Sequence, residues 1–308
     1  MTRMAPTRNG VGASCVALPA GPWPTIEAFL CERFPAIPAV TWHARLMGGE
    51  VFDEGGTALA PLTPYRPHSR LYYYRSLAYE AAIPFTEVVL YQDEFLVAVD
   101  KPHFLPVTPA GAYLQETLLV RLKRRLGVDT LTPMHRLDRD TAGVVLLCVQ
   151  PAMRDRYQAL FRDRCVAKRY EAIAPWRPDL AFPLTRCSRL GESPAFMQMQ
   201  ETSGTPNAET RIDVVQVEGA LARYVLQPVT GQKHQLRVHM AALGMPILND
   251  RIYPALQPAP APDAVPDYSR PLQLLARALA FIDPIMGVHR SFESARLLAF
   301  PAPVQSHA

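Results

Sequence analysis

Residues 144–149 form an unbroken apolar run, Val144-Val145-Leu146-Leu147-Cys148-Val149, and the nine residues before it carry two carboxylates, two arginines and a histidine. A run this short and this apolar reads as a strand buried on both faces. Charges set directly against a core are costly unless they are paired or put to use. His135, Arg136, Asp138, Arg139 and Asp140 therefore form either an ion-paired loop or a working site. Surface ion pairs contribute little, whereas perturbed charges cluster at functional sites.

The 308 residues suffice for one large domain, or one with a small companion. The 31 prolines imply stiff connections and short helices. No apolar stretch reaches the roughly 18 residues that a membrane span needs, so no membrane partner is expected. Residues 1–24 lack acidic side chains and an apolar signal core, and are expected to be a disordered tail. The five cysteines show no C-x-x-C spacing, which argues against a disulfide framework or a structural zinc site and fits a reducing cytoplasm. The net charge is only +4, but residues 121–169 hold twelve Lys/Arg against five Asp/Glu. A local basic field on a near-neutral chain suggests a surface that meets a polyanion, against the alternative of a solvated helix face.

Helical spacing of Ile26, Phe29, Leu30 and Phe34 predicts helix within residues 25–51, ending at a glycine stop before a strand, with a boundary near residue 80. Residues 86–101 read as a hairpin stopped by Lys101-Pro102. Residues 114–126 and 151–164 read as helices with basic faces, 208–217 and 221–227 as strands, and 232–243 as a helix closed by Gly244. Residues 254–267, rich in Pro and Ala, are expected to be a flexible loop, and apolar structure returns over 272–281 and 292–299. Strands and helices mix without a regular repeat, which predicts an α+β fold with a mostly antiparallel sheet.

Two further clusters carry chemistry. Thr230-Gly231-Gln232-Lys233-His234-Gln235-Leu236-Arg237-Val238-His239, if helical from Gln232, puts Lys233 and Arg237 on one side, and Arg237 could hold a carboxylate bidentately. His234 and His239 are five apart and lie on different faces of such a helix, which disfavours a metal site. Lys168-Arg169-Tyr170 offers a tyrosine that is either core or a platform for a base.

Taken together, these clusters resemble the RluA-type pseudouridine synthases. Residues 135–143 are similar to that family's HRLDxxTSG signature, Lys168-Arg169-Tyr170 to its K-x-Y element, residues 230–239 to TGRTHQIRVH, and residues 244–253 to GxPIxGDxxY, all in order. The resemblance, from about residue 86 to 300, implies a central sheet with flanking helices, and isomerisation of uridine to pseudouridine in an rRNA or tRNA stem-loop, without cofactor or metal. It implies that Asp138 is the catalytic aspartate, that Tyr170 stacks on the uracil and that Arg237 pairs with the carboxylate. It also implies that Arg136 helps displace the target nucleotide, and Arg139, Lys168, Lys233 and His234 are expected to face RNA. Asp140 is left to brace the loop. Ala142 stands where the family has serine, and Gln232-Lys233 stands where it has Arg-Thr or Arg-Ser.

The expected division is a tail over 1–24, a small N-terminal module over 25–80 and a catalytic domain over 81–308. The module resembles the ribosomal-protein-S-four-like RNA-binding module, although its basic helix offers only Arg33 and Arg45. A cytoplasmic monomer is expected. The rival readings are a catalytically silent RNA-binding protein of the same fold, and a glycosidase using Asp138 and Asp140.

Overall fold

In the computed structural model, which describes residues 7–77, 79–195, 197–258 and 265–301, the apolar run becomes a strand that is buried throughout its length. The chain packs as two units: Met1–Glu80 with Pro109–Gln115 and Val120–Asp129, and Ala81–Thr108 with Glu116–Leu119 and Thr130–Ala308.

The first unit holds β1 (Ser14–Ala17), α1 (Ile26–Arg33), α2 (Ala39–Met47), β2 (Val51–Asp53) and β3 (Arg70–Tyr73). Its sheet runs β1-β3-β2, all antiparallel. The expected tail is thus corrected: part of it is a strand, because Ser14–Ala17 find hydrogen-bonding partners on β3. The single helical stretch is two helices. Pro35 and Pro38 fall between them and cannot continue the backbone ladder, while the Thr25 hydroxyl caps α1 by accepting from the Ala28 amide at 3.2 Å. Ile26, Phe29, Leu30, Trp42 and Leu46 bury the two helices against Val51 and Leu71.

The second unit is built on one large sheet. Its strands, in chain order, are β4 (Val88–Gln92), β5 (Leu96–Lys101), β6 (Thr132–Pro133), β7 (Ala142–Cys148), β8 (Ala167–Pro175), β9 (Leu184–Glu192), β10 (Met199–Thr202), β11 (Ala208–Glu218), β12 (Leu221–Pro228), β13 (Leu274–Ile282) and β14 (His289–Glu293). The helices are α3 (Leu118–Leu126), whose later residues belong to the first unit, α4 (Arg154–Arg162) and α5 (Gln235–Ala242). The strand order is β10-β9-β11-β12-β8-β13-β7-β5-β4, with β14 on β13 and β6 on β7. Among the described residues only β13 with β7 is a parallel pair, so the α+β, mostly antiparallel expectation holds.

Two packing layers fix where the site forms. On β8, Ala172 and Ala174 bury against Leu236 and Met240 of α5, and Tyr170 packs partly against the same cluster. Side chains on a strand alternate faces, so Lys168, Tyr170 and Ala172 share the side that α5 covers. On β7, Val144, Leu146 and Cys148 join Leu96, Ala98 and Tyr157 in a second core. The expected helix over 114–126 starts four residues late, because the amides of Leu118 and Leu119 donate to the carbonyls of Pro106 (2.8 Å) and Val107 (3.0 Å) instead of closing a turn on residues 114 and 115. Of the expected flexible loop over 254–267, residues 259–264 lie outside the described residues.

Candidate active site

The loop between β6 and β7 is held from below by groups that grip its backbone. The Lys101 ammonium, fully buried, donates to the carbonyls of Pro102 (3.0 Å), Leu105 (2.8 Å) and Arg139 (3.0 Å). Burial pulls Lys101 down to about 7, against the raising effect of Asp140 and Asp138. His103 donates through Nδ1 to the Asp140 carbonyl at 2.7 Å, and burial lowers it to about 4, so it is neutral near pH 7. His135, lowered by burial to about 3, accepts from the Leu146 amide at 3.1 Å and stacks on Phe161 at 4.6 Å. The Thr141 amide closes the turn on the Asp138 carbonyl at 3.2 Å.

Gly143 makes the exit from this loop possible. Its φ is +115°, and a Cβ there would lie 2.2 Å from the Ala276 carbonyl oxygen of the parallel neighbour β13. Only glycine accommodates both demands.

Above this support, Asp138 keeps about a quarter of its side chain exposed, whereas Arg237 is 3% exposed. Arg237 Nη1 donates to Asp138 Oδ2 at 3.0 Å. Its Nε and Nη2 donate to Asp250 at 2.8 and 2.7 Å, a bidentate fork. Asp250 Oδ1 in turn accepts from the amides of Ile252 (2.8 Å) and Tyr253 (3.0 Å). A buried cation is thus matched by one fully buried carboxylate and one open to a ligand. Tyr170 stands alongside: burial, then the charge of Asp138, pushes its phenol well above the usual tyrosine range. It therefore stays protonated at neutral pH.

Asp140 is turned away to Arg139, whose Nε lies 2.9 Å from its Oδ1. Arg136, Arg139 and Lys233 are exposed. Lys168 donates to the Thr230 carbonyl at 2.9 Å, and burial, with Arg164 nearby, lowers it to about 8. One expectation for the segment before α5 fails. The helix begins at Gln235 because His234 is left-handed at φ +56°, so Lys233 lies outside it and does not share a side with Arg237. His234, expected to face RNA, keeps 6% of its side chain exposed and lies 3.8 Å from Asp138.

His239 points elsewhere, to Ser188 Oγ at 3.1 Å and Thr210 Oγ1 at 3.0 Å. Among the described residues no group of three or more His, Cys, Asp or Glu is arranged to hold a metal. Sequence reasoning did not assign roles to Lys101, His103, Gln235, Asp250 or Tyr253. The tail motif ending in Asp250 and Tyr253 was the available signal for those two. Gln235 binds the 230–232 turn through the Thr230 hydroxyl at 2.7 Å and the Gln232 amide at 3.0 Å, and donates to the Glu209 carbonyl at 2.9 Å.

The family model described as RNA pseudouridylate synthase matches residues 95–242, which contain Asp138, Tyr170 and Arg237. The dual-specificity RNA pseudouridine synthase RluA of Salmonella typhimurium is 34% identical over 67% of this chain and 91% of its own. The chain belongs to the RluA-type RNA pseudouridine synthases. An uncharacterised RNA pseudouridine synthase of Synechocystis is 30% identical over 73% of this synthase and 78% of its own length. A solved human structure, RNA pseudouridylate synthase domain containing 4, superimposes with a TM-score of 0.52 at 29% identity, over 68% of this chain and 88% of that one. The synthase is therefore an isomerase of RNA uridine.

Proposed function

We propose that Asp138 starts the isomerisation of a flipped-out uridine in an rRNA or tRNA stem-loop. What carries this reading is the contrast between the two loop carboxylates. Asp138 is partly open to a ligand and held on one oxygen by buried Arg237, while Asp140 is spent on Arg139. The carboxylate initiates cleavage of the uracil–ribose C–N bond. The freed ring turns and reattaches through carbon, which loses its hydrogen as the ring nitrogen gains one. Reactant and product are isomers, so the chemistry calls for no oxidant or reductant.

A base inside a stack is out of reach, and extruding it costs on the order of a few kcal/mol. Exposed Arg136 is suited to filling the gap it leaves, and Arg139 and Lys233 are exposed cations suited to phosphates. Tyr170, protonated and beside Asp138, is suited to stacking on the displaced uracil. The same reading has the enzyme act in the cytoplasm, as a monomer and without cofactor or metal.

Mapping pseudouridine in rRNA and tRNA from cells with and without the gene tests the proposal. One or a few sites should vanish on deletion and return with the wild-type gene. Unchanged maps in both RNA classes would favour the silent RNA-binding alternative.

A further inference from the structure

The geometry points to His234 as a positioning residue: a neutral imidazole whose tautomer is set by Tyr253, so that its Nε2–H faces Asp138 and reserves one carboxylate oxygen for the reaction. The inference rests on Asp138 being the reacting group, and deepens that reading.

The Tyr253 hydroxyl has two partners. That oxygen accepts from the Met199 backbone amide at 2.7 Å and lies 2.9 Å from His234 Nδ1. A phenol has one proton to give and can also accept. With the Met199 amide already donating to it, the arrangement that uses both groups sends the hydroxyl proton to Nδ1 and leaves that nitrogen unprotonated. His234 is also held neutral: burial lowers its affinity for a proton, with Arg237 and Lys233 adding to the effect and Asp138 and Asp250 opposing it. A neutral imidazole that accepts at Nδ1 carries its proton on Nε2.

The ring has little freedom to do otherwise. It meets Tyr253 edge-on at 5.7 Å and 89°, its backbone is left-handed, and Tyr253 itself is 6% exposed. Nε2 then lies 3.8 Å from Asp138 Oδ2, the same oxygen that Arg237 Nη1 holds at 3.0 Å. At 3.8 Å this is not a hydrogen bond. It is a dipole aimed at the carboxylate, in a site where catalytic contacts commonly tighten once substrate is bound. Arg237 donates to Oδ2 and His234 Nε2 is near the same oxygen, while no described residue donates to Oδ1. Oδ1 is therefore the oxygen that meets the substrate.

The tautomer can be read directly by nitrogen NMR of the full-length protein labelled with 15N-histidine. The His234 signals, assigned by their loss in His234→Gln, should show an acceptor-type Nδ1 and a protonated Nε2 at neutral pH. In Tyr253→Phe the preference should disappear. A protonated Nδ1, or an imidazolium, overturns the proposal. In steady-state kinetics, His234→Leu should lower kcat about a hundredfold with KM for RNA unchanged, the scale of a misplaced reacting group. His234→Gln, which keeps an N–H donor, should recover much of the loss. Wild-type kcat in His234→Leu, or a change in KM alone, also overturns it. If the leucine variant does not fold, the wild-type spectrum decides. Full activity of Asp138→Asn would instead sink the underlying reading while leaving the tautomer assignment standing.

Discussion

Gly143 shows how much a single position can dictate. Its neighbour across the parallel pair is the Ala276 backbone, which cannot move without breaking the β13–β7 pairing. Gly143→Ala is expected to cost about 3 kcal/mol or more, from the positive φ and the clash together, and urea unfolding measures it. Lys101 makes the second prediction. Burial pulls it down to about 7 from the ordinary lysine value of 10.5, so between those values the unfolded chain binds one more proton than the folded one. Stability must then rise with pH across that window, by at most about 1.4 kcal/mol per pH unit. The difference in unfolding free energy between wild type and Lys101→Met should be flat below pH 7 and grow above it; a difference that shrinks as pH rises contradicts the assignment. At this scale the sequence was readable where motif residues converge, as Asp138 and Arg237 do at 3.0 Å with Tyr170 beside them. It was unreadable where a residue acts on the backbone of a distant loop, as Lys101 does on Arg139, 38 positions away.

At the scale of elements, α5 depends on a polar turn rather than on an amphipathic stripe, since every residue from Gln235 to Met240 is buried. Gln235 satisfies the turn that precedes it, and replacing it by leucine leaves the Gln232 amide and the Thr230 hydroxyl proton without their acceptor. A loss of about 2–4 kcal/mol is expected, read by thermal or chemical denaturation, together with reduced turnover as Arg237 shifts. A stability change under half a kcal/mol would show that water replaces the glutamine. The buried strand β7 and the pairs β4–β5 and β11–β12 were legible from their apolar runs. Strand β9 was not: its sequence, Leu184 to Glu192, alternates polar and half-buried residues with little apolar content, and its partners are supplied only by the folded sheet. The shift of the α5 start from Gln232 to Gln235 had no local signal either, because a left-handed histidine is chosen by its contacts with Tyr253 and not by propensity.

For the whole molecule, the basic surplus over residues 121–169 makes RNA binding a matter of charge as well as shape. Affinity should fall as salt rises, and Arg136→Ala should reduce the slope of log affinity against log salt by about 1; an unchanged slope would remove Arg136 from the RNA. Of the two arginines that the N-terminal module's helical stretch offers, Arg45 is buried over Trp42 and bonded to the Ser76 hydroxyl, leaving Arg33. The architecture thus concentrates its chemistry where β7, β8 and α5 meet, and the central claim is that Asp138 performs it. Pseudouridine formation by purified wild type and Asp138→Asn, on RNA from cells lacking the gene and with affinity measured in parallel, tests that claim most directly. The account predicts no detectable product from the variant with RNA binding retained, and product formed at the wild-type rate would contradict it.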